Sequence, residues 1–108
     1  MKGAIVAGSV FAALGVAAGA FGAHGLKGRV DPDLWHTAVF YHLIHAVAMV
    51  AMRSRATAWW FGAGIVLFSG SLYGLALHAP SAFGMVTPVG GVAFIAGWIA
   101  AAIGARRA

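Results

Sequence analysis

Residues 56–105 read ATAWWFGAGIVLFSGSLYGLALHAPSAFGMVTPVGGVAFIAGWIAAAIGA, a run without a single Asp, Glu, Lys or Arg. As one helix it would reach about 75 Å. A bilayer hydrocarbon core is about 30 Å thick and takes about 20 apolar residues to cross. The run must therefore fold back, and His78-Ala79-Pro80-Ser81 is where it can. Proline lacks the N–H that would extend a helix and disfavours helical geometry in the residue before it. Two spans follow, at about 57–78 and about 82–105.

Working outward towards the N-terminus, charges mark two more. Gly3 to Leu26 and Leu34 to Met52 are also free of formal charge, and each is long enough for one crossing. Helices are expected at about 3–25 and about 32–52. The reading is an all-α membrane protein: one domain over residues 1–108, four transmembrane helices packed as a compact bundle. Composition agrees, since 62% of residues are hydrophobic and 8% charged, against roughly half and a quarter in soluble domains. Met1-Lys2, a long apolar run and the small residues Ala18 to Ala23 resemble a secretory leader. The run is longer than an h-region of about 7–15 residues, so it reads as helix 1.

Four crossings put both termini on one side. Lys2, Arg53, Arg55, Arg106 and Arg107 share that side, against Lys27 and Arg29 on the other, and the richer face is expected in the cytoplasm. Localisation in a plasma membrane, with N and C termini cytoplasmic, follows. The same placement accounts for the net charge of +5 without nucleic acid, for which there is neither a basic stripe on a soluble element nor an aromatic platform. With no cysteine, disulfides, Fe–S clusters and thiolate sites are excluded, and the redox compartment is not readable.

Helix 1 carries Gly8, Ala12, Gly15, Gly19 and Gly22 along one seam, with Gly15 and Gly19 forming a GxxxG. Lipid tails are as apolar as leucine, so helices in a bilayer associate by close packing at such small residues rather than by hydrophobic exclusion. Further seams are expected in helix 3 (Ala63, Gly70, Gly74) and helix 4 (Gly90, Gly97, Gly104). Helix 2 has no glycine and is expected to be the bulky member, with Phe40, Tyr41, Leu43 and Ile44, around which the other three close. Asp31 can cap its first N–H groups, Pro32 suits the first helical position, and Asp33 favours the positive end of the helix dipole. Helix 4 has two possible openings: Thr87-Pro88 as cap and first residue, or a start near Ser81 with a kink at Pro88. Trp35, Trp59, Trp60 and Trp98 fall towards span ends, where aromatic belts form.

Five histidines sort by depth. His42 lies at the centre of helix 2 and His45 about 4–5 Å beyond it, whereas His24, His36 and His78 lie towards the outer side. His42, His45, Met49 and Met52 share a stripe that could hold copper or zinc. Packing is the simpler account, because methionines at helical spacing usually fill cores and a neutral histidine needs only a hydroxyl or carbonyl partner. Ser69, Ser71 and Tyr73 on helix 3 are the expected partners. An ionisable group at membrane depth is also a functional candidate, and histidine titrates near neutrality, so His42 and His45 with these three form a candidate ligand or proton site. The outer three histidines form a second candidate, a surface metal site.

Haem is disfavoured, since two histidines three apart on one helix cannot approach iron from opposite faces. No cofactor is expected. Catalysis has little to build on: Asp31 and Asp33 serve the helix start, and no Ser-His-Asp set shares a depth layer. Glycines inside spans do not bind nucleotides.

Gly-Ala-Phe-Gly-Ala-His-Gly at 19–25, Thr-Ala-Val-Phe-Tyr-His-Leu-Ile-His-Ala at 37–46, Leu-Phe-Ser-Gly-Ser-Leu-Tyr at 67–73 and Thr-Pro-Val-Gly-Gly at 87–91 resemble a family of small bacterial membrane proteins. It is classed as a domain of unknown function (DUF423-like) and is related to the animal transmembrane protein 256. The likeness touches every span in order, and Gly97-Trp98 fits it too. It implies a four-helix form in the bacterial inner membrane and no settled activity. It also draws attention to His24, His45, Ser69, Gly70, Ser71, Tyr73, Thr87 and Pro88, where the family's motifs carry polar atoms or backbone breaks.

Two functional readings result. The first is a non-enzymatic bundle that acts by packing, as a homo-oligomer or an accessory subunit of a larger membrane complex. The second is a protein handling a ligand, a metal or protons at His42 and His45. A lipid or quinone pocket between helices 1 and 4 is a further possibility, resting on their small residues.

Overall fold

The computed structural model describes residues 2–107. Helix α1 spans Lys2–Ala23 and α2 spans Pro32–Met52. Helix α3 spans Arg55–Ala76, its middle turn Ile65–Ser69 being π-helical, and after a 3₁₀ turn at Ser81–Met85, α4 spans Thr87–Arg107. The fold is all-α, with four helices long and apolar enough to cross a membrane.

Local chemistry sets the ends. Asp31 Oδ1 accepts from the N–H groups of Asp33 and Leu34 at 3.0 and 3.2 Å, with Pro32 next to it at the helix start. At the other end Arg53 takes a left-handed conformation (φ 55°) and its N–H returns to the Met49 carbonyl. Ser54 then opens α3, its hydroxyl accepting from Thr57 N while Thr57 Oγ1 donates to Ser54 O. A cap at Ser54 moves the start of α3 ahead of the expected position 57. His78, with φ 68°, ends α3 early: its N–H donates to Leu75 O, and Ala79 N–H reaches back to Gly74 O at 2.9 Å. Likewise α1 stops at Ala23, leaving His24 and Gly25 in a turn. Helix α4 opens at Thr87, with Pro88 in the first turn where a missing N–H is harmless.

Packing follows glycine, in two antiparallel pairs. Against α2, a Cβ built on Gly8 would stand 2.8 Å from Val50 and one on Gly15 2.6 Å from Leu43, while Gly22 abuts the Trp35 indole. These contacts recur every seven residues, so one face of α1 meets one face of α2. Between α3 and α4 the holes alternate: Gly97 receives Phe61, Gly64 receives Phe94, and Gly90 lies against the backbone of Phe68.

This corrects the expected arrangement of three grooved helices around α2. Only α1 is grooved against α2; α4 packs on α3 and reaches α2 chiefly through aromatic side chains. The α3 seam is also different. Gly64 makes the close approach, whereas Gly70 has only a backbone oxygen of its own helix nearby and Gly74 faces Phe83 beyond the turn. Gly19 makes ordinary contact with Val39, and Gly104 faces open space. Ala46, Ala48, Met49, Phe61, Ile65 and Phe94 form the common core where the two pairs meet.

Candidate functional site

The centre of α2 carries two histidines, and every ring nitrogen finds its partner inside the chain. His42 is buried, with Nε2 2.7 Å from Phe11 O on α1 and Nδ1 2.8 Å from the Tyr73 hydroxyl on α3. A carbonyl can only accept, so Nε2 carries the proton and Nδ1 of the neutral ring accepts from Tyr73. His45, also buried, is wired the other way. The Trp98 indole can only donate, and its Nε1 lies 3.0 Å from His45 Nε2, so the proton is on Nδ1, which donates to Tyr41 O at 2.7 Å. Two histidines one turn apart are thus held in opposite tautomers.

Trp35 extends the pattern. Its Nε1 donates to Ala18 O at 2.8 Å, and its ring rests 4.7 Å from that of Tyr73. It is 9% exposed, so it is a buried inter-helix donor rather than the belt residue expected from its position; Trp59, near the opposite end of the bundle, is 75% exposed, as a belt residue should be.

The two α1 carbonyls that accept these bonds are seven residues apart, as are Trp35 and His42. Each is followed four residues later by a glycine, Gly15 after Phe11 and Gly22 after Ala18. In an α-helix the side chain at i+4 leans back over the turn that holds carbonyl i. Glycine there leaves the oxygen uncovered, and the donor's ring occupies the space: a Cβ at Gly15 would lie 3.3 Å from His42, and one at Gly22 would meet Trp35 Nε1. The glycines of α1 therefore serve hydrogen bonding as well as close approach.

Ser69 and Ser71, expected to face the histidines, do not. Ser69 is fully buried and its hydroxyl donates to Ala38 O on α2 at 2.8 Å. It reaches that face because the π-helical turn adds a residue before it, carried by the Gly70 N–H bond to Ile65 O. Ser71 Oγ bonds Phe68 O and the Thr87 hydroxyl, tying α3 to the first turn of α4. Of the three expected partners, only Tyr73 hydrogen-bonds His42, and none hydrogen-bonds His45.

The His/Met stripe is likewise divided. Met49 is buried in the core, Met52 is at the exposed end of α2, and all four ring nitrogens of His42 and His45 are engaged by protein groups. A metal ion would have to displace one of those bonds. His24, His36 and His78 are exposed, and no group of three or more His, Asp or Glu suited to a metal ion forms among the described residues. The signal for Trp98 as a partner of His45 lay in Gly97-Trp98 on α4; the π turn left no mark in the sequence.

The pattern of the family described as "Protein of unknown function (DUF423)" matches residues 18–91. The chain is 44% identical to the UPF0382 membrane protein YwdK of Bacillus subtilis, over 99% of this chain and 98% of that one. It is 42% identical to the UPF0382 inner membrane protein YgdD of Escherichia coli, over 96% of this chain and 86% of that one. To the UPF0382 membrane protein SAB0533 of Staphylococcus aureus it is 40% identical, over 92% and 91%. No solved structure matches the chain.

Proposed function

Because the chain belongs to the DUF423 family of membrane proteins, we propose that it is a non-enzymatic bundle of the plasma membrane that acts by lateral packing, with a second copy of itself or as a small subunit of a larger complex. The observation that carries this reading is Tyr41. It stands one residue from the middle of α2, is 38% exposed, and its hydroxyl bonds none of the described residues. A hydroxyl facing hydrocarbon without a partner costs several kcal/mol. Around it Phe68, Phe94, Ile95 and Trp98 line a lateral groove of about 450 Å³ between α2 and α4, which a helix carrying an acceptor would fill.

The deep histidines support the same reading, because their nitrogens are spent on holding α1, α2, α3 and α4 together. Both termini are placed in the cytoplasm, on the strength of Lys2, Arg53, Arg55, Arg106 and Arg107 against Lys27 and Arg29.

The test uses the absence of native cysteine. Ile95→Cys, on the groove and 61% exposed, should give a crosslinked homodimer or a defined hetero-adduct in native membranes at physiological level, weakened when Tyr41→Phe is added. A chain that stays monomeric and captures nothing would count decisively against the proposal.

A further inference from the structure

A second groove, of about 690 Å³, lies on the other side of the molecule between α1 and α3, with Met49 of α2 as its floor. Its size is within the about 300–1,000 Å³ of clefts that bury small ligands. It differs from the Tyr41 groove in chemistry. Its walls are apolar, with Ala4, Phe11, Trp59 and Leu67 among them, and its one charged lining residue is Arg55.

Three features identify what such a groove takes. The first is length. From Arg55 at the first residue of α3 to Leu67 the helix rises about 18 Å, slightly more than half of an about 30 Å hydrocarbon core. The groove therefore runs from the interface to mid-bilayer, the depth of one leaflet and of one acyl chain. The second is polarity along that length: charge at the interfacial end, then only apolar lining, and at the deep end Phe11, Val66 and Leu67 offer no side-chain hydrogen-bonding group. A quinone ring would find no polar side chain there.

The third is charge balance. The only acidic residues of the chain, Asp31 and Asp33, sit at the start of α2, one crossing away from Arg55. Arg55 is exposed at the mouth, and Lys2 precedes the groove residues Gly3 and Ala4 at the same end. An arginine fork is well matched to a phosphodiester, and Trp59, one turn on, is exposed where headgroups meet chains.

The structure assigns the α1–α3 groove to one molecule of anionic phospholipid, with an acyl chain between the helices and its phosphate on Arg55. It is drawn from the leaflet that bathes the basic end. The lipid covers what the helix packing leaves open between α1 and α3.

The experiment takes the full chain purified from membranes and reconstituted in vesicles of phosphatidylglycerol and phosphatidylcholine in equal amount, then released for native mass spectrometry. Expected is one retained phosphatidylglycerol per chain, favoured about tenfold over phosphatidylcholine. Arg55→Gln should bring that preference close to parity, Arg55→Lys should keep most of it, and Ala63→Phe, which fills the groove from α3, should abolish retention of either lipid. Helicity by circular dichroism serves as the folding control. If Arg55→Gln fails to fold, Arg55→Lys and Ala63→Phe decide. Equal retention of the two lipids by the native chain overturns the assignment, as does unchanged retention in Ala63→Phe. A retained quinone in place of phospholipid, or a dimer whose second copy shields Ala63→Cys from labelling, overturns it equally.

Discussion

The Trp35 indole occupies the space above Gly22 and donates to Ala18 O, the carbonyl that the missing side chain would have covered. Replacing Gly22 by Ala therefore breaks a hydrogen bond and overfills a contact at once. Inter-helix hydrogen bonds in membranes are worth about 0.6 kcal/mol on average, and overpacking costs about 1–3 kcal/mol. Gly22→Ala should destabilise the bundle by about 2 kcal/mol in a reversible micelle or bicelle unfolding assay. Gly19→Ala, three residues earlier on the same seam, meets only an ordinary contact 3.5 Å from Val39 and should stay within about 0.5 kcal/mol.

The opposite wiring of the two deep histidines has a spectroscopic signature. In ¹⁵N-histidine spectra of the folded chain, His42 should show a protonated Nε2 and a bare Nδ1, and His45 the reverse. Trp98→Phe removes the donor to His45 Nε2 and should shift that resonance while leaving His42 unmoved. Identical tautomers at both positions would contradict the geometry.

Tyr73→Phe deletes one hydrogen bond and keeps the ring on Trp35, so its cost should be about 0.5–1.5 kcal/mol. His42→Ala removes bonds to both α1 and α3 and leaves a cavity, and should cost at least about 2 kcal/mol. A stability series on the two single variants and the double checks this: the double should cost less than the sum, because the bond between them can be lost only once.

Helix α4 has its own contrast. At Gly90 a Cβ would strike the backbone of Phe68, which cannot swing aside as a side chain can, whereas Gly104 has open space. Gly90→Ala should cost more than about 2 kcal/mol or prevent pairing of α3 with α4, and Gly104→Ala should be silent in the same assay.

Topology is open to a labelling test. Single cysteines in place of Lys27 and of Ala105 should react with a membrane-impermeant maleimide from opposite sides, Lys27→Cys in intact cells and Ala105→Cys only after permeabilisation. The reversed pattern would overturn the cytoplasmic placement of the termini.

Much of the architecture is readable from residues alone because membrane physics leaves few choices. The charge-free gaps mark the crossings, Pro80 divides the longest of them, and Asp31-Pro32 caps α2 as its chemistry requires. The partners of each seam were not readable. A glycine tells that something comes close, not what: Gly64 takes Phe94 through a space that no count of small residues distinguishes from Gly70. The candidate site shows the same division. Tyr73 was found as a partner of His42 because a phenol about five turns into α3 is long and leans back towards the helix N-terminus, so it reaches the middle of α2. Ser69 was misplaced because the π turn rotates it onto Ala38, and a backbone irregularity without proline has no compositional cue. Trp35 was misread because depth along a helix says nothing about which way the ring faces.

The two glycine-locked pairs have a consequence for how the chain is made. Each pair, α1 with α2 and α3 with α4, is a hairpin whose tight contacts lie entirely within it, and only Arg53 and Ser54 separate one hairpin from the next. During synthesis the first hairpin emerges with every partner of its close-packed glycines and can lock before α3 leaves the insertion machinery. What remains is one docking step along the shared core, at which Ser69 finds Ala38 and the histidines find Tyr73 and Trp98. Birth of this membrane protein is thus the joining of two prefabricated halves, and loss of the bonds that cross between them, from Ser69, Tyr73 and Trp98, should leave the halves intact but unjoined.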